Sequence, residues 1–245
     1  MRIPLNCLPR VVFTAFGLVL MTAILAPLVI LAGILDKAGP AYVLMRTWGR
    51  AVARFMGLTF SIHGTEKIIP GTSYIITPNH QSNADILALV ATLPVRFRWV
   101  IKKELLKIPL FGWALGSTGA ISLDRSNREE SVKRLQEGTS KLHGGWSVLI
   151  YPEGTRTSDG IIQHFKKGPF MMAVQTGIPI LPVTCNGAFK ILPKKTLAIR
   201  AGHISITIGN PIPTEGLTER NVPELMEKTR QEMIAHFDPD YDPFT

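Results

Sequence analysis

The chain has 245 residues, 46% of them hydrophobic, and a formal net charge of +9 at pH 7. Its two cysteines, Cys7 and Cys185, follow no metal-ligand or redox spacing, which argues against a disulfide framework and favours a reducing compartment. The positive charge fits nucleic acid or an anionic membrane surface. Residues 1–60 contain six Lys and Arg residues and one acidic residue, Asp36, so they carry +5 of the net charge of +9. This charge lies beside the most apolar segment, which favours a membrane over nucleic acid.

An uncharged apolar segment runs from Val11 to Leu35 and is interrupted by Gly17, Pro27 and Gly33. About 20 apolar residues are enough for a helix to span a bilayer. The segment also fits two helical pieces that bend at Pro27 and lie partly in the membrane, or a helix buried in a protein core. A cleaved signal peptide fits less well, because no convincing small-residue cleavage site follows. The sequence therefore predicts a membrane-associating segment, with a transmembrane helix as the first interpretation and the other two arrangements left open.

The next segment, Tyr42–Met56, has the spacing of an amphipathic helix that ends at Gly57. Apolar side chains share one face, and Arg46, Arg50 and Arg54 recur every four residues on the other. This arginine stripe fits a solvated helix face and a contact to lipid phosphates equally well.

From Leu58 onward, short apolar runs alternate with helical patterns, which is typical of an α/β domain with a mixed, mostly parallel sheet flanked by helices. The predicted strands are Leu58–His63, Ser73–Thr77, Phe97–Ile101, Ala120–Leu123, Ser147–Tyr151, Ile180–Thr184 and a hairpin of Leu197–Arg200 with His203–Ile208. The predicted helices are Asn83–Thr92, Leu110–Ser117, Arg128–His143, Pro169–Thr176 and Val222–Phe237. We therefore predict an N-terminal membrane segment over residues 1–57 and an α/β domain over residues 58–245.

The stretch from Tyr74 to Asp85 joins a predicted strand to a predicted helix through a polar turn. The strand breaks at Pro78, His80 falls in the turn, and Asp85 opens the helix. Histidine is well suited to take a proton near neutral pH, and a nearby carboxylate can fix its tautomer and stabilise the imidazolium. Such a pair can activate a hydroxyl. A polar loop histidine beside a helix-capping acid is the alternative, since the spacing alone is a weak signal.

Three further patterns follow predicted strands. Gly119–Arg125 ends with an adjacent acid and base, Tyr151–Arg156 is a Tyr-Pro-Glu-Gly-Thr-Arg turn, and Gly177–Val183 is a strand bracketed by prolines. In the second pattern Gly154 permits a close backbone approach to a ligand, and the planar guanidinium of Arg156 suits a phosphate. In an α/β domain the active-site groups lie on loops that leave the strand ends, which is where these patterns fall. Taken singly, Asp124–Arg125 and Lys102 are more often a surface ion pair and a solvated lysine.

Taken in order, the four patterns resemble the blocks of the glycerolipid acyltransferase family, typified by 1-acyl-sn-glycerol-3-phosphate acyltransferase. The resemblance covers roughly Leu58 to Pro213. Ser122 stands where the family often has Phe or Ile, and Tyr151 stands where Phe is commoner. The combination of His80 with a Glu-Gly-Thr-Arg run roughly seventy residues later is a specific signal.

The resemblance implies transfer of an acyl group from acyl-coenzyme A or acyl-carrier protein to the sn-2 hydroxyl of 1-acyl-sn-glycerol 3-phosphate, giving phosphatidic acid. It implies that His80 is the general base and that Asp85 orients it. The substrate-binding residues that it implies are Glu153, Gly154, Thr155, Arg156, Lys102 and Arg125. It implies no metal, and no cofactor other than the acyl donor as co-substrate.

Both substrates are amphiphiles and the donors are cytosolic, so the resemblance implies an enzyme at an anionic, cytoplasmic face of the inner membrane, with no nucleic-acid partner. The basic stretch Arg96–Lys103 is a candidate docking edge for the acidic acyl-carrier protein. Two alternatives stay open. One is an acyltransferase for another lysolipid, such as a lyso-ornithine lipid or lysophosphatidylethanolamine; the other is a non-enzymatic peripheral lipid-binding protein, which would not need the His–Asp pair.

Overall fold

The computed structural model describes residues 7–124, 130, 134, 135, 137, 138 and 145–245. Arg125 lies outside these residues, and so does most of the helix predicted over Arg128–His143. The described strands are β1 Leu58–His63, β2 Ile75–Pro78, β3 Arg96–Lys102, β4 Ile121–Leu123, β5 Trp146–Leu149, β6 Ile180–Asn186 and β7 Gly202–Ile208. The α-helices with described bounds are α1 Leu8–Ile34, α2 Ala38–Met56, α3 Ala84–Thr92, α4 Phe111–Ser117, α5 Gly168–Thr176, α6 Ala188–Ile191 and α7 Val222–Ile234.

The seven described strands form one sheet in the order β1-β7-β6-β2-β5-β3-β4. Every pairing between them is parallel except that of β6 with β7. The prediction of a mixed, mostly parallel sheet flanked by helices is therefore confirmed. Because β2, β3, β4, β5 and β6 run in the same direction, the loops that follow them meet at one edge of the sheet.

The predicted hairpin of Leu197–Arg200 with His203–Ile208 is wrong. Only the second segment is a strand, β7, while residues 197–200 lie outside any strand. A strand has two hydrogen-bonding edges, and β7 uses both, pairing in parallel with β1 and antiparallel with β6. No edge is left for a hairpin partner. The apolar pattern of the first segment is explained by Ile199, which is buried in the core.

The sheet carries a hydrophobic core on each face. Ile75 and Ile76 are consecutive in β2 and therefore point to opposite faces. Ile76 packs into a core with residues of α2 and α3, among them Leu89. Ile75 packs into a second core with Phe170 of α5 and Leu225 of α7. Burial on both faces explains why β2 and β6 are buried at every position.

Helix α1 is continuous through Pro27 and packs lengthwise on the rest of the chain. Near its start Arg10 donates to the Met56 carbonyl at 3.0 Å, and midway Thr22 accepts from the Trp48 indole N–H at 3.0 Å. Its other face leaves large apolar side chains exposed, which excludes a buried core helix. Among the described residues, α1 is the one helix long and apolar enough to cross a membrane, and 22% of its apolar window is buried.

Two glycines allow the N-terminal helices to approach their neighbours closely. A Cβ atom on Gly17 of α1 would lie 2.1 Å from the Phe55 ring of α2, and a Cβ on Gly49 of α2 would lie 2.1 Å from Cγ1 of Val90 in α3. Neither position has room for a side chain. α1 therefore packs closely on α2, and α2 packs closely on α3.

Two residues of the arginine stripe on α2 bind the end of α3. Arg46 and Arg50 both donate to the carbonyl oxygen of Ala91, at 3.0 and 3.1 Å. That carbonyl lies in the last turn of α3, where unpaired carbonyls and the negative end of the helix dipole attract cations. Arg54 is exposed. Part of the stripe therefore has a structural role.

Candidate active site

The turn after β2 is fixed by the side chain of Asn79. Its amide nitrogen donates to the carbonyl of Cys185 in β6 at 3.0 Å, and its amide oxygen accepts from the N–H of Cys185 at 2.7 Å. The side chain thus pairs with β6 in the way that a strand backbone would. As a result the backbone can leave the sheet at this point and carry His80 to the sheet edge.

His80 and Asp85 are brought together as the sequence predicts. Nδ1 of His80 lies 3.2 Å from Oδ2 of Asp85, which also accepts from the N–H of Ser82 at 2.7 Å. The Asp85 side chain is fully buried, and the His80 side chain is 14% exposed. Because an ionised carboxylate can only accept, Nδ1 carries the proton and Nε2 keeps its lone pair. The imidazole can therefore take a proton at Nε2.

Tyr151 contacts both members of this pair. Its ring is stacked on the His80 imidazole, with centroids 3.7 Å apart and planes 14° from parallel, and its hydroxyl donates to Oδ1 of Asp85 at 2.8 Å. Trp99 stacks on Tyr151 with centroids 6.4 Å apart. Burial, with the nearby Asp85 carboxylate, raises the pKa of Tyr151 well above its usual value. The phenol therefore stays protonated and acts as a donor.

The backbone of His80 is tied to the turn formed by Tyr151–Arg156 and the residues that follow. The His80 N–H donates to Oε1 of Glu153 at 2.7 Å, and the His80 carbonyl accepts from the N–H of Thr157 at 2.8 Å. The other Glu153 oxygen accepts from the N–H of Gln163 at 3.1 Å. Burial raises the pKa of Glu153 to about 7, although both backbone bonds oppose that rise. The first and third sequence patterns therefore form one hydrogen-bonded unit.

A cavity of about 1160 Å³ lies at this edge of the sheet, and His80 lines it. Apolar walls come from both faces of the sheet: Met45, Trp48 and Val90 on one, and Leu135, Ile150, Phe165 and Met172 on the other. The basic side chains in the lining are Lys102, Arg156, Lys166, Lys167 and Lys194. No carboxylate is among the described residues that line it. The cavity thus suits an apolar molecule with an anionic group.

Comparison with known proteins agrees with this architecture. Residues 59–186 match the family model described as Acyltransferase, which is more than half of the chain. The chain belongs to the acyltransferase family. The resemblance carried by the four sequence patterns is therefore confirmed.

Two curated relatives of the chain are named 1-acyl-sn-glycerol-3-phosphate acyltransferase. The acyltransferase is 32% identical to human 1-acyl-sn-glycerol-3-phosphate acyltransferase alpha over 182 residues, 74% of this chain and 64% of that protein. It is 33% identical to 1-acyl-sn-glycerol-3-phosphate acyltransferase of Saccharomyces cerevisiae over 196 residues, 79% of this chain and 64% of that protein. The chain thus spans somewhat less than two thirds of these relatives' length.

A solved structure has the same fold. It is the crystal structure of the 1-acyl-sn-glycerophosphate acyltransferase PlsC from Thermotoga maritima, with a TM-score of 0.78 and 24% sequence identity. The match covers 95% of this chain and 98% of that one, so it includes the N-terminal helices as well as the sheet.

The structure places most of the predicted binding residues of the acyltransferase at the cavity. Lys102, Gly154, Thr155 and Arg156 line it. Glu153 lies beneath the lining, where both carboxylate oxygens accept backbone N–H groups.

The candidate docking edge for acyl-carrier protein is only partly at the site. At the start of β3, the guanidinium groups of Arg96 and Arg98 lie over the Trp146 ring, 5.4 and 5.6 Å from its centroid. At the opposite end of the strand Lys102 lines the cavity, and Lys103 forms an ion pair with Asp124. The two arginines therefore lie in the first half of β3 and are not part of the described cavity lining, which begins on this strand at Trp99.

Three lysines that line the cavity were not predicted from the sequence: Lys166, Lys167 and Lys194. Lys194 donates to the carbonyl of Arg156 at 2.6 Å and to the Thr155 hydroxyl at 3.3 Å. Lys166 lies across Gly154, where a Cβ would be only 2.9 Å from Lys166 Cε, and Gly154 has φ +70°. Gly154 in the sequence could have indicated that another side chain packs closely against this turn. Nothing in the sequence set Lys194 apart from other lysines.

Proposed function

We propose that this acyltransferase transfers an acyl group from acyl-coenzyme A or acyl-carrier protein to the sn-2 hydroxyl of 1-acyl-sn-glycerol 3-phosphate, producing phosphatidic acid. The observation that carries the proposal is the His80–Asp85 pair at the wall of a cavity with apolar sides and a basic lining. The names of the curated relatives support the same reaction.

The proposed chemistry needs no covalent enzyme intermediate. Nε2 of His80 accepts the proton of the acceptor hydroxyl as its oxygen attacks the carbonyl carbon of the thioester. Asp85, bonded to Nδ1, stabilises the imidazolium that forms. When the tetrahedral intermediate collapses, the C–S bond breaks and the thiolate takes the proton back from His80. The products are an ester and a free thiol, and the histidine is restored.

The acceptor phosphate is proposed to bind the basic side chains around the Glu-Gly-Thr-Arg turn. Arg156 offers a planar fork for two phosphate oxygens, and Lys166 and Lys194 lie at the same turn. Lys102 adds charge from the end of β3. A phosphomonoester fits this lining better than lysophosphatidylethanolamine or a lyso-ornithine lipid, because each of those brings an ammonium group to a described lining that has no carboxylate.

The membrane association is proposed to be interfacial rather than spanning. Contacts of α1 with the rest of the chain extend from Arg10 to Gly33, where a Cβ would lie 2.5 Å from the Ser117 Cβ of α4. A spanning α1 would therefore draw polar parts of α2 and α4 into the bilayer. Lying in the interface, the exposed apolar face of α1 reaches acyl chains while the site faces the cytosolic donor, at the cytoplasmic face of the inner membrane.

The test uses the purified full chain in liposomes containing anionic lipid. Labelled acyl-coenzyme A and acyl-carrier protein are each offered with lysophosphatidic acid, lysophosphatidylethanolamine, a lyso-ornithine lipid or glycerol 3-phosphate. We expect labelled phosphatidic acid from lysophosphatidic acid, and its loss in His80→Ala. His63→Ala is the matched control, since His63 is exposed at the end of edge strand β1.

Each other outcome corrects a different part of the proposal. Product from another acceptor alone would keep the mechanism and change the substrate. Activity that survives in His80→Ala would refute the general base. Liposome binding with no acyl transfer to any acceptor would favour the non-enzymatic lipid-binding protein.

A further inference from the structure

The third sequence pattern begins with Tyr151, at a position where the family that it resembles more often has phenylalanine. Phenylalanine could provide the ring that lies against His80, but it could not provide the hydroxyl. In this chain the hydroxyl is used: it donates to Oδ1 of Asp85 at 2.8 Å. Compared with phenylalanine at this position, Tyr151 therefore adds one hydrogen bond to the Asp85 carboxylate.

The donors to Asp85 among the described residues come from two parts of the chain. Oδ2 accepts from the N–H of Ser82 and from Nδ1 of His80, both in the turn after β2. Oδ1 accepts from Tyr151, which follows β5. Without the phenol, Oδ1 would have no donor among the contacts of the described residues, and the carboxylate could rotate about its Cβ–Cγ bond. The phenol fixes that rotation from the neighbouring strand.

We infer that Tyr151 is a positioning residue that holds the Asp85 carboxylate toward His80 and limits its basicity. A carboxylate that accepts more hydrogen bonds is a weaker base, and it favours the imidazolium less. Through its hydrogen bond to Oδ1, Tyr151 therefore tunes how strongly Asp85 supports the imidazolium that forms during proton transfer. This role rests on the proposed function, in which His80 acts through Nε2.

Among the described residues, Tyr151 is the one side chain besides His80 that donates a hydrogen bond to Asp85. The titratable groups around the pair are Tyr151 and Glu153 after β5 and Cys185 in β6. Glu153 uses both oxygens on backbone N–H groups, and burial and the nearby Asp85 raise the pKa of the Cys185 thiol well above its usual value. Tyr151 is thus the residue whose hydroxyl can be removed without disturbing a charge.

The test is Tyr151→Phe, which keeps the stacked ring and removes only the oxygen. We expect kcat to fall about tenfold, the effect of one hydrogen bond to a charged group, with the KM for the acceptor unchanged. The acidic limb of the pH profile of kcat/KM should move about half a unit to higher pH, because the carboxylate becomes the stronger base. In an Asp85→Asn background the same substitution should change kcat less than twofold, since the charge that it acts on is gone.

Tyr74→Phe is the matched control. Tyr74 is a fully buried tyrosine directly before β2, and its hydroxyl accepts from the N–H of Ile69 at 2.9 Å, away from His80. Tyr74→Phe should lower the melting temperature and leave the pH profile of kcat/KM unchanged. Tyr151→Leu, which also removes the ring, should lower kcat further than Tyr151→Phe.

A spectroscopic readout separates this inference from the proposed function. In full-length protein labelled with ¹⁵N-histidine, the His80 ring signals, assigned by their loss in His80→Ala, should shift in Tyr151→Phe whether or not acyl transfer is detected. A shift in a protein with no acyltransferase activity would keep the positioning role and refute the proposed function. Unchanged ring signals and an unchanged pH profile in an active Tyr151→Phe enzyme would refute the positioning role alone. Equal losses of kcat in the wild-type and Asp85→Asn backgrounds would also refute it.

Discussion

The side-chain amide of Asn79 is bonded to both backbone groups of Cys185, at 2.7 and 3.0 Å. Both residues are buried, and the contact lies between adjacent strands β2 and β6. Since the next residue is His80, this amide sets where the chain leaves the sheet and therefore where the imidazole lies. The position of His80 depends on a side chain that need not touch any substrate.

Asn79→Ala should destabilise the protein by about 2–4 kcal/mol, because it leaves a buried N–H and a buried carbonyl without partners. The same change should lower kcat, because His80 loses its support. Urea unfolding in detergent measures the first effect. Asn210→Ala is the control, since the Asn210 amide donates to Glu232 at an exposed site, and it should cost much less. Equal losses in the two variants would contradict the role of Asn79.

Asp85→Asn should lower kcat by about 10²–10⁴-fold, the usual contribution of general acid–base catalysis, and leave the KM for the acceptor nearly unchanged. An amide has nearly the shape of the carboxylate, but it can present its NH₂ to Nδ1 and hold the imidazole in the wrong tautomer. Steady-state kinetics with varied acceptor measure both constants. A rise in KM at constant kcat would instead place Asp85 in substrate binding.

Glu153 should make the stability of the protein depend on pH between about 4.5 and 7. Its pKa is raised from an ordinary 4.5 to about 7 by burial, so the folded chain binds this proton more tightly than the unfolded chain does. The resulting stabilisation is present below about pH 4.5, is lost as the pH rises through 7, and is on the order of 3 kcal/mol.

The test is to measure the free energy of unfolding of the wild type and of Glu153→Gln at several pH values between about 4.5 and 7.5. Other titrating groups are common to both proteins, so the difference between their free energies of unfolding isolates Glu153. We expect the wild-type advantage to be largest near pH 4.5 and to shrink toward pH 7.5. A difference that stays constant with pH, or that grows, would contradict the raised pKa.

Gly49→Ala and Gly39→Ala should have opposite effects although both lie in α2. A Cβ on Gly49 would lie 2.1 Å from Val90 Cγ1, whereas a Cβ on Gly39 meets no atom within 4 Å. Overpacking at Gly49 should cost about 1–3 kcal/mol. Alanine at Gly39 should stabilise the helix by about 0.5–1 kcal/mol. Melting temperatures measured in the same detergent compare the two, and a stabilised Gly49→Ala would contradict the close contact with α3.

The sequence was sufficient for the parts of the fold that depend on local pattern. Strand β1 and the start of α7 lie at the bounds predicted from the sequence, Leu58–His63 and Val222. The His80–Asp85 pair was also predictable, since four intervening residues at a strand end allow the chain to turn back. These features need only nearby residues.

Features that depend on distant residues were not predictable. The hairpin prediction failed at Leu197–Arg200 because β7 pairs with strands nearly 150 and about 20 residues earlier in the chain, which no local pattern reveals. The hydroxyl of Tyr151 and the ammonium of Lys194 were missed for the same reason. Each acquires its partner only when two loops meet at the sheet edge.

Helix α1 supplies part of the cavity wall through Thr22, Leu25, Ala26 and Val29. A truncated chain that starts at α2, the usual way to obtain a water-soluble fragment, would therefore lose one side of its own substrate chamber. Such a fragment could keep the sheet and the His80–Asp85 pair and still give misleading acyl-chain preferences. Ligand screening on this protein needs the full chain in a lipid or detergent environment.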